Sequence, residues 1–280
     1  MEFHEFGRTG VKVSSIGMGT FFDPSFIAAS LLFHHQGGRE QKIAALRKGL
    51  DIGINLIDTA EIYQSEDLVA EAIGGYRRDE LFIATKVFPI HLRYDAVLKA
   101  AEKSLKRLRC SYLDLYQIHS PSPRIPIKET IRAMEKLVED GKVRFIGVSN
   151  FSLQQMKEAE EAFSNNKLAS NQVEYSLRAR KIEKDLLPYC EQKGIVVIPY
   201  RPIAHGYLAN PGQNLMAVMD EISRNHGGKT PAQIALNWLI SRNKFVFPIP
   251  RASRPERVIE NSGAVDWRLD NDEIRKLESV

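Results

Sequence analysis

The chain has 280 residues, 43% of them apolar and 26% charged, an ordinary balance for a globular protein. A chain this long buries roughly 75% of its unfolded surface, so no staple is needed for stability. The net charge of +4 is small and spread along the sequence, which argues against a nucleic-acid-binding stripe. Cys110 and Cys190 stand far apart and outside any CxxC pattern, so neither a disulfide framework nor a thiolate metal site is expected, and the thiols read as reduced. The N-terminal stretch MEFHEFGRTG is too charged for a signal peptide, and no window approaches ~18 consecutive apolar residues. A cytoplasmic protein with no membrane partner is expected, its oligomeric state unspecified and a monomer the default.

In chain order, MEFHEFGRTGVKV reads as a hairpin with Gly7 and Gly10 near its turn. The β-like run VSSIGMG (13–19) follows, and then a long segment, roughly 20–39, read as a loop carrying Phe21, Phe22, Phe26 and Phe33. Residues 40–52 place Ile43, Leu46 and Leu50 on one helical face, ended by Gly53. INLID (54–58) and LFIATKV (81–87) are the next strands, separated by a stretch that suggests a short second helix. Over 95–108, Val97, Leu98, Ala101, Leu105 and Leu108 repeat at helical spacing, with Asp95 the expected N-cap. YLDLYQIH (112–119) precedes a helix over 127–140 that Gly141 stops, and VRFIGVS (143–149) precedes one capped by Ser152. LASNQVEY (168–175) and IVVIPY (195–200) follow. KTPAQIALNWLI then offers Thr230 as cap and Pro231 at the first helical position. FVFPIP (245–250) is the last β-like run, and Pro255 starts a further helix.

Eight strand candidates alternating with helices predict the α/β class, a (β/α)8 TIM barrel formed as a single domain over 1–280, with the N-terminal hairpin capping the barrel bottom. The runs lack clean in/out alternation, as parallel strands covered on both faces should. An open doubly wound sheet would want a glycine fingerprint after its first strand, and Thr20-Phe21-Phe22 follows Gly17-Met18-Gly19 instead.

In such a barrel the reactive face lies at the C-terminal ends of the strands. Read in order, those ends carry Asp58 with Tyr63 just beyond, Lys86, His119, Ser149-Asn150, Asn171-Gln172 and Tyr200. Singly, each has a plain structural reading: a buried ion pair, a rim aromatic, a hydrogen-bonded histidine. Together, Asp58, Tyr63, Lys86 and His119 form a proton-transfer device. A free phenol, pKa about 10, is a sluggish acid at neutral pH. An adjacent ammonium is expected to lower that value, a carboxylate to hold the ammonium charged, and an imidazole to orient a substrate oxygen.

Over nearly its whole length the sequence resembles the aldo-keto reductase superfamily, in its NADPH-dependent bacterial and archaeal form. FGRTGVKVSSIGMGT, IDTAEIY, ATKV, DLYQIHSP, GKVRFIGVSNF, NQVEY, IVVIPYRPI and IPRASRPERVIEN carry the likeness. It implies that Asp58, Tyr63, Lys86 and His119 are the catalytic tetrad, with Tyr63 the proton donor. It further implies that Ser149, Asn150 and Gln172 hydrogen-bond the nicotinamide carboxamide and that Tyr200 stacks on its ring. Departures are Gln64 where glycine often follows the tyrosine, Ala70 for a common glycine, Ser120 where tryptophan often follows the histidine, and Arg201 for a frequent serine. They bear on pocket shape and substrate rather than on the reacting groups.

Around Ser253, Arg251, Arg254 and Arg257 precede or open a helix, a setting suited to phosphate oxygens. Within the resemblance, Arg251, Ser253 and Arg257 fall on positions that grip the adenosine 2′-phosphate, and Glu260 and Asn261 on those that meet the adenine. NADPH is therefore expected over NADH. The substrate is expected to be a small carbonyl compound, aromatic or aliphatic, entering an apolar mouth drawn from Phe21, Phe22, Phe26, Phe33, Phe88, Ile90, Ile203, His205 and Tyr207. The extended C-terminal loop of some relatives is not expected, which would leave the pocket open. His34-His35 lacks a second ligand pair, so no metal is expected. The reading is a reductase moving hydride from NADPH to an aldehyde or ketone; the alternative is an NADPH-binding regulatory subunit of the same fold. A serine hydrolase is rejected because Phe151 replaces the second elbow glycine after Ser149. A short-chain dehydrogenase is rejected because no Tyr has Lys four residues on.

Overall fold

A computed structural model describes residues 1–33, 36–204 and 212–280, with the Phe33 side chain outside that description. His34, His35, His205 and Tyr207, named above, lie outside the described residues.

The hairpin forms from β1 (Phe3–Glu5) and β2 (Lys12–Ser14), paired antiparallel. Gly7 and Gly10 adopt φ of 65° and 74° in its turn, a conformation that glycine takes without steric cost. The barrel strands are β3 (Met18–Gly19), β4 (Leu56–Asp58), β5 (Phe82–Val87), β6 (Leu113–Ile118), β7 (Val143–Ser149), β8 (Leu168–Glu174) and β9 (Val196–Tyr200). Among the described residues they form one parallel sheet in sequence order. Every residue of β5 and β6 is buried, as a strand covered on both faces requires.

The eighth β-like run, 245–250, is not a continuous strand. It closes the barrel through separate backbone contacts. Val197 donates to Phe245 O, and Phe247 and Ile249 donate to Val197 O and Pro199 O. On its other edge, Gly17 and Gly19 donate 2.9 Å bonds to Pro248 O and Pro250 O. Pro248 and Pro250 have no N–H to return, which is why the ladder toward β3 is incomplete. The barrel still closes, so the predicted (β/α)8 architecture holds.

Helices α1 (Pro24–Phe33), α2 (Arg39–Asp51), α3 (Glu66–Ile73), α4 (Tyr94–Leu108), α5 (Ile127–Glu139) and α6 (Leu153–Ala162) come first in the chain. Helices α7 (Leu186–Lys193), α8 (Gln213–Asn225), α9 (Pro231–Arg242), α10 (Pro255–Ser262) and α11 (Asn271–Glu278) complete the set described. Among the described residues, none is long and apolar enough to cross a membrane. Two expectations need correction here. The segment 20–39 contains α1, opened by Pro24 and by Asp23 Oδ1, which accepts the Phe26 N–H at 2.7 Å. Helix α4 begins at Tyr94, so Asp95 sits in the first turn and is not the cap. Its exposed donor is satisfied instead by Glu129 of α5, which accepts the Tyr94 N–H at 3.0 Å. Ser152 and Thr230 do cap α6 and α9, each in a reciprocal box with a glutamine three residues on.

The core has two layers. The larger lies between strands and helices. The smaller fills the barrel with Leu56, Phe82, Leu115, Val196 and Phe247, and Phe6 of the hairpin turn enters it from below. The Phe6 ring lies 4.5 Å from Phe82 and 5.4 Å from Phe247, at the N-terminal end of the strands. The hairpin thus plugs the bottom and leaves the top open for chemistry.

Candidate active site

At the top, Asp58 ends β4, Lys86 lies one residue before the end of β5, and His119 follows β6. Lys86 is fully buried, and its ammonium donates to Asp58 Oδ1 at 2.6 Å and to the Thr59 carbonyl at 2.8 Å. Burial lowers the Lys86 pKa and raises that of Asp58, and each charge opposes the shift on the other. The second carboxylate oxygen accepts from Gln172 Nε2 at 2.8 Å and from Gln117 Nε2 at 3.5 Å. These added bonds are what a buried carboxylate requires to stay ionised.

Tyr63 ends a 3-10 turn, Glu61–Tyr63, just after β4. Its hydroxyl lies 3.4 Å from His119 Nε2, at the outer edge of hydrogen-bond reach, and Lys86 Nζ lies 5.0 Å from its ring centroid. The four predicted groups therefore meet. Their electrostatics differ from the sequence expectation. The Tyr63 pKa is raised rather than lowered, first by burial and then by the charge of Asp58. Lys86 spends two of its protons on Asp58 and Thr59, and in the resting site desolvation of the phenol outweighs the ammonium beside it.

His119 is pushed down to about 3, mainly by burial and secondarily by the Lys86 charge, so it is a neutral imidazole at pH 7. Its Nδ1 is buried without a partner. A proton there would have no acceptor, which favours the tautomer with the proton on Nε2, facing the Tyr63 oxygen. Phe21 and Phe88 flank the pair edge-on, with centroids 5.1 Å from Tyr63 and 6.3 Å from His119. Phe22 and Phe26, expected at the mouth, are core residues under Lys42. Ile90 is 71% exposed at the rim, and Ile203 packs on the core.

Beside the tetrad, Ser149 Oγ donates to the Gln172 carbonyl at 2.9 Å. The Asn150 amide donates to His119 O at 3.0 Å and accepts from the Tyr200 hydroxyl at 2.9 Å. Asn171 points to the outer face, where Nδ2 bonds Phe151 O, while Gln172 faces inward. Gln172 spends its N–H on Asp58 and keeps no partner for Oε1 among the described residues, an acceptor suited to a carboxamide N–H. With the half-buried Tyr200 ring close by, this donor and acceptor set fits a nicotinamide.

Farther along the rim, Arg251 bonds the Phe22 carbonyl, and Arg254 stands at the N-cap of α10. Arg257 pairs with Glu260 at 2.6 Å and is 66% exposed, Ser253 is half-buried, and Asn261 is buried. Cations gathered at a helix start fit a phosphate. Gln117, which bonds Asp58, and Glu61, which opens the Tyr63 turn, are not among the residues that the sequence singles out. The available signal for Gln117 was a polar residue at an inward position two before His119; Glu61 had only its place two before Tyr63.

Residues 16–280 match the model of the aldo/keto reductase family. The chain is 36% identical over 273 residues to the methylglyoxal reductase YeaE of Escherichia coli (strain K12), covering 96% of this chain and 92% of that protein. It superposes on the thermostable aldo-keto reductase Tm1743, solved with the inhibitor epalrestat, with a TM-score of 0.90, 37% identity and coverage of 100% and 99%. An aldo-keto reductase from Klebsiella pneumoniae, solved in complex with NADPH, superposes with a TM-score of 0.87, 37% identity and coverage of 99% and 94%.

Proposed function

The chain belongs to the aldo/keto reductase family, and on that premise we propose that Tyr63 is the proton donor of an NADP-dependent reductase of aldehydes and ketones. The observation that carries the assignment is the convergence of Asp58, Lys86 and His119 on the Tyr63 phenol. When bound, the reduced nicotinamide supplies the hydride.

The chain's own groups do the rest. Burial keeps the phenol protonated, so it is a donor and not a base. The carbonyl oxygen sits between Tyr63 Oη and His119 Nε2, where the neutral imidazole orients it. As charge develops on that oxygen, the Tyr63 proton moves to it. The phenolate left behind is held by the nearby Lys86 ammonium, whose own position is fixed by Asp58 and Thr59. Phe21 and Phe88 give the two donors an apolar flank.

Ser149, Asn150 and Gln172 hold the carboxamide, Tyr200 the ring face, Arg251, Ser253 and Arg257 the 2′-phosphate, and Glu260 with Asn261 the adenine. The relative's methylglyoxal is the first carbonyl to assay. The reading includes a single-domain, cytoplasmic protein working as a monomer without a metal. The deciding experiment is Tyr63→Phe. Turnover should fall about 10²- to 10⁴-fold, the usual worth of a positioned acid, with NADPH affinity by fluorescence titration kept. A variant that reduces methylglyoxal at the parent rate means that the proton comes from elsewhere.

A further inference from the structure

Glu61 shares with Tyr63 the 3-10 turn that aims the phenol. Its side chain is turned inward and only 13% exposed. Oε2 accepts the Phe88 N–H at 2.9 Å. Oε1 lies 2.8 Å from His91 Nδ1, within ion-pair reach though off the angle of a linear hydrogen bond. Phe88 comes two residues after Lys86, and its ring is the wall beside His119. One carboxylate therefore ties the turn bearing the phenol to the segment leaving the strand that bears the ammonium. The turn's other ties lie on its far side from β5: Tyr63 donates its N–H back to Ala60 O, the Gln64 amide donates to Glu61 O at 3.4 Å, and Gln36 donates to the carbonyl of Gln64, which stands in the left-handed region at φ 57°.

We propose that Glu61 is a positioning residue for carbonyl reduction, its carboxylate clamping the Tyr63 turn to Phe88 and His91 and so setting both the aim of the phenol and the width of the slot beside His119. This rests on the reading of Tyr63 as proton donor. A short turn free to shift by about an ångström can lose on the order of 10²-fold in rate, because the donor must meet the oxygen in a narrow range of geometry. The clamp reaches Phe88 as well, so its loss acts on substrate fit and on turnover together.

The test compares Glu61→Ala, Glu61→Gln, Glu61→Met and Tyr63→Phe in steady-state reduction of methylglyoxal, with NADPH affinity measured by fluorescence. Glu61→Ala should lower kcat about 10- to 100-fold and raise KM, with NADPH affinity within about twofold of the parent. Glu61→Gln keeps an acceptor for the Phe88 N–H and should recover kcat to within about threefold, whereas Glu61→Met, of similar size but without that acceptor, should stay as slow as the Ala variant, which a mere packing role would not give. A Glu61→Ala enzyme with the parent kcat, or a Gln variant as slow as the Ala variant, overturns the proposal. Should Glu61→Ala fail to fold, His91→Ala cuts only the more exposed half of the clamp. It should raise KM and lower kcat by about threefold, and parent kinetics there overturn the proposal equally. A fully active Tyr63→Phe removes the proton donor and this proposal with it. An inactive Tyr63→Phe beside a fully active Glu61→Ala removes the clamp alone.

Discussion

Tyr63, Lys86, Asp58 and His119 are recognisable by type, but their protonation is a product of where they are buried. A phenol beside an ammonium reads in sequence as an acidified donor. In the fold, the ammonium is engaged by Asp58 and by the Thr59 carbonyl, and desolvation keeps the phenol protonated. His119 is likewise held neutral by burial and by the Lys86 charge. At the cofactor end the residue types speak more directly. Arg257 is exposed and, among the described residues, its side chain pairs with Glu260 alone, so its removal should cost little stability. Arg257→Ala should weaken NADPH binding about 10-fold or more, in line with loss of a charge-assisted contact, while leaving NADH nearly unchanged. Fluorescence titration with both cofactors decides it, and equal losses would refute the 2′-phosphate assignment.

Among the elements, those with strong local signals formed as expected. Ser152 and Thr230 cap α6 and α9 because their hydroxyls and the following glutamines are all the cap needs. Asp95 had the right residue type for a cap, yet α4 starts earlier, since Glu129 from a helix over thirty residues away satisfies the first donor. The closing segment failed as a strand for a covalent reason visible in FVFPIP, its two prolines. Its seam with β3 is tight: a Cβ on Gly19 would lie 2.8 Å from the Ile249 carbonyl oxygen, a backbone atom with little room to yield. Gly19→Ala should therefore destabilise the fold by about 1–3 kcal/mol, the usual cost of overpacking. Urea unfolding would show it as a lower midpoint at unchanged slope, and an unshifted midpoint would mean that the seam gives way freely.

Across the whole molecule, stability and chemistry occupy opposite ends of one barrel. The hairpin sends Phe6 into the bottom, against Phe82 and Phe247, while the tetrad opens at the top. Phe6→Ala should cost about 3–5 kcal/mol, as for other buried phenylalanines, with kcat of the folded protein unchanged. Thermal unfolding and kinetics well below the transition measure the two separately; a parallel fall in kcat would show that the two ends are coupled.

By itself the sequence determined which chemical groups the protein owns and the order in which the strands present them, because strand and helix periodicity are local and a side chain's functional group is covalent. Beyond the Asp58–Lys86 pair, it did not determine who pairs with whom. That Gln172 holds Asp58, that Glu129 serves a helix not its own, that Glu61 ties two loops, and that the phenol becomes less acidic were decided by the tertiary structure alone. Hydrogen-bond partners and pKa values depend on desolvation and on neighbours within a few ångströms. Closure of the barrel brings those neighbours together from positions as far apart as 58 and 172.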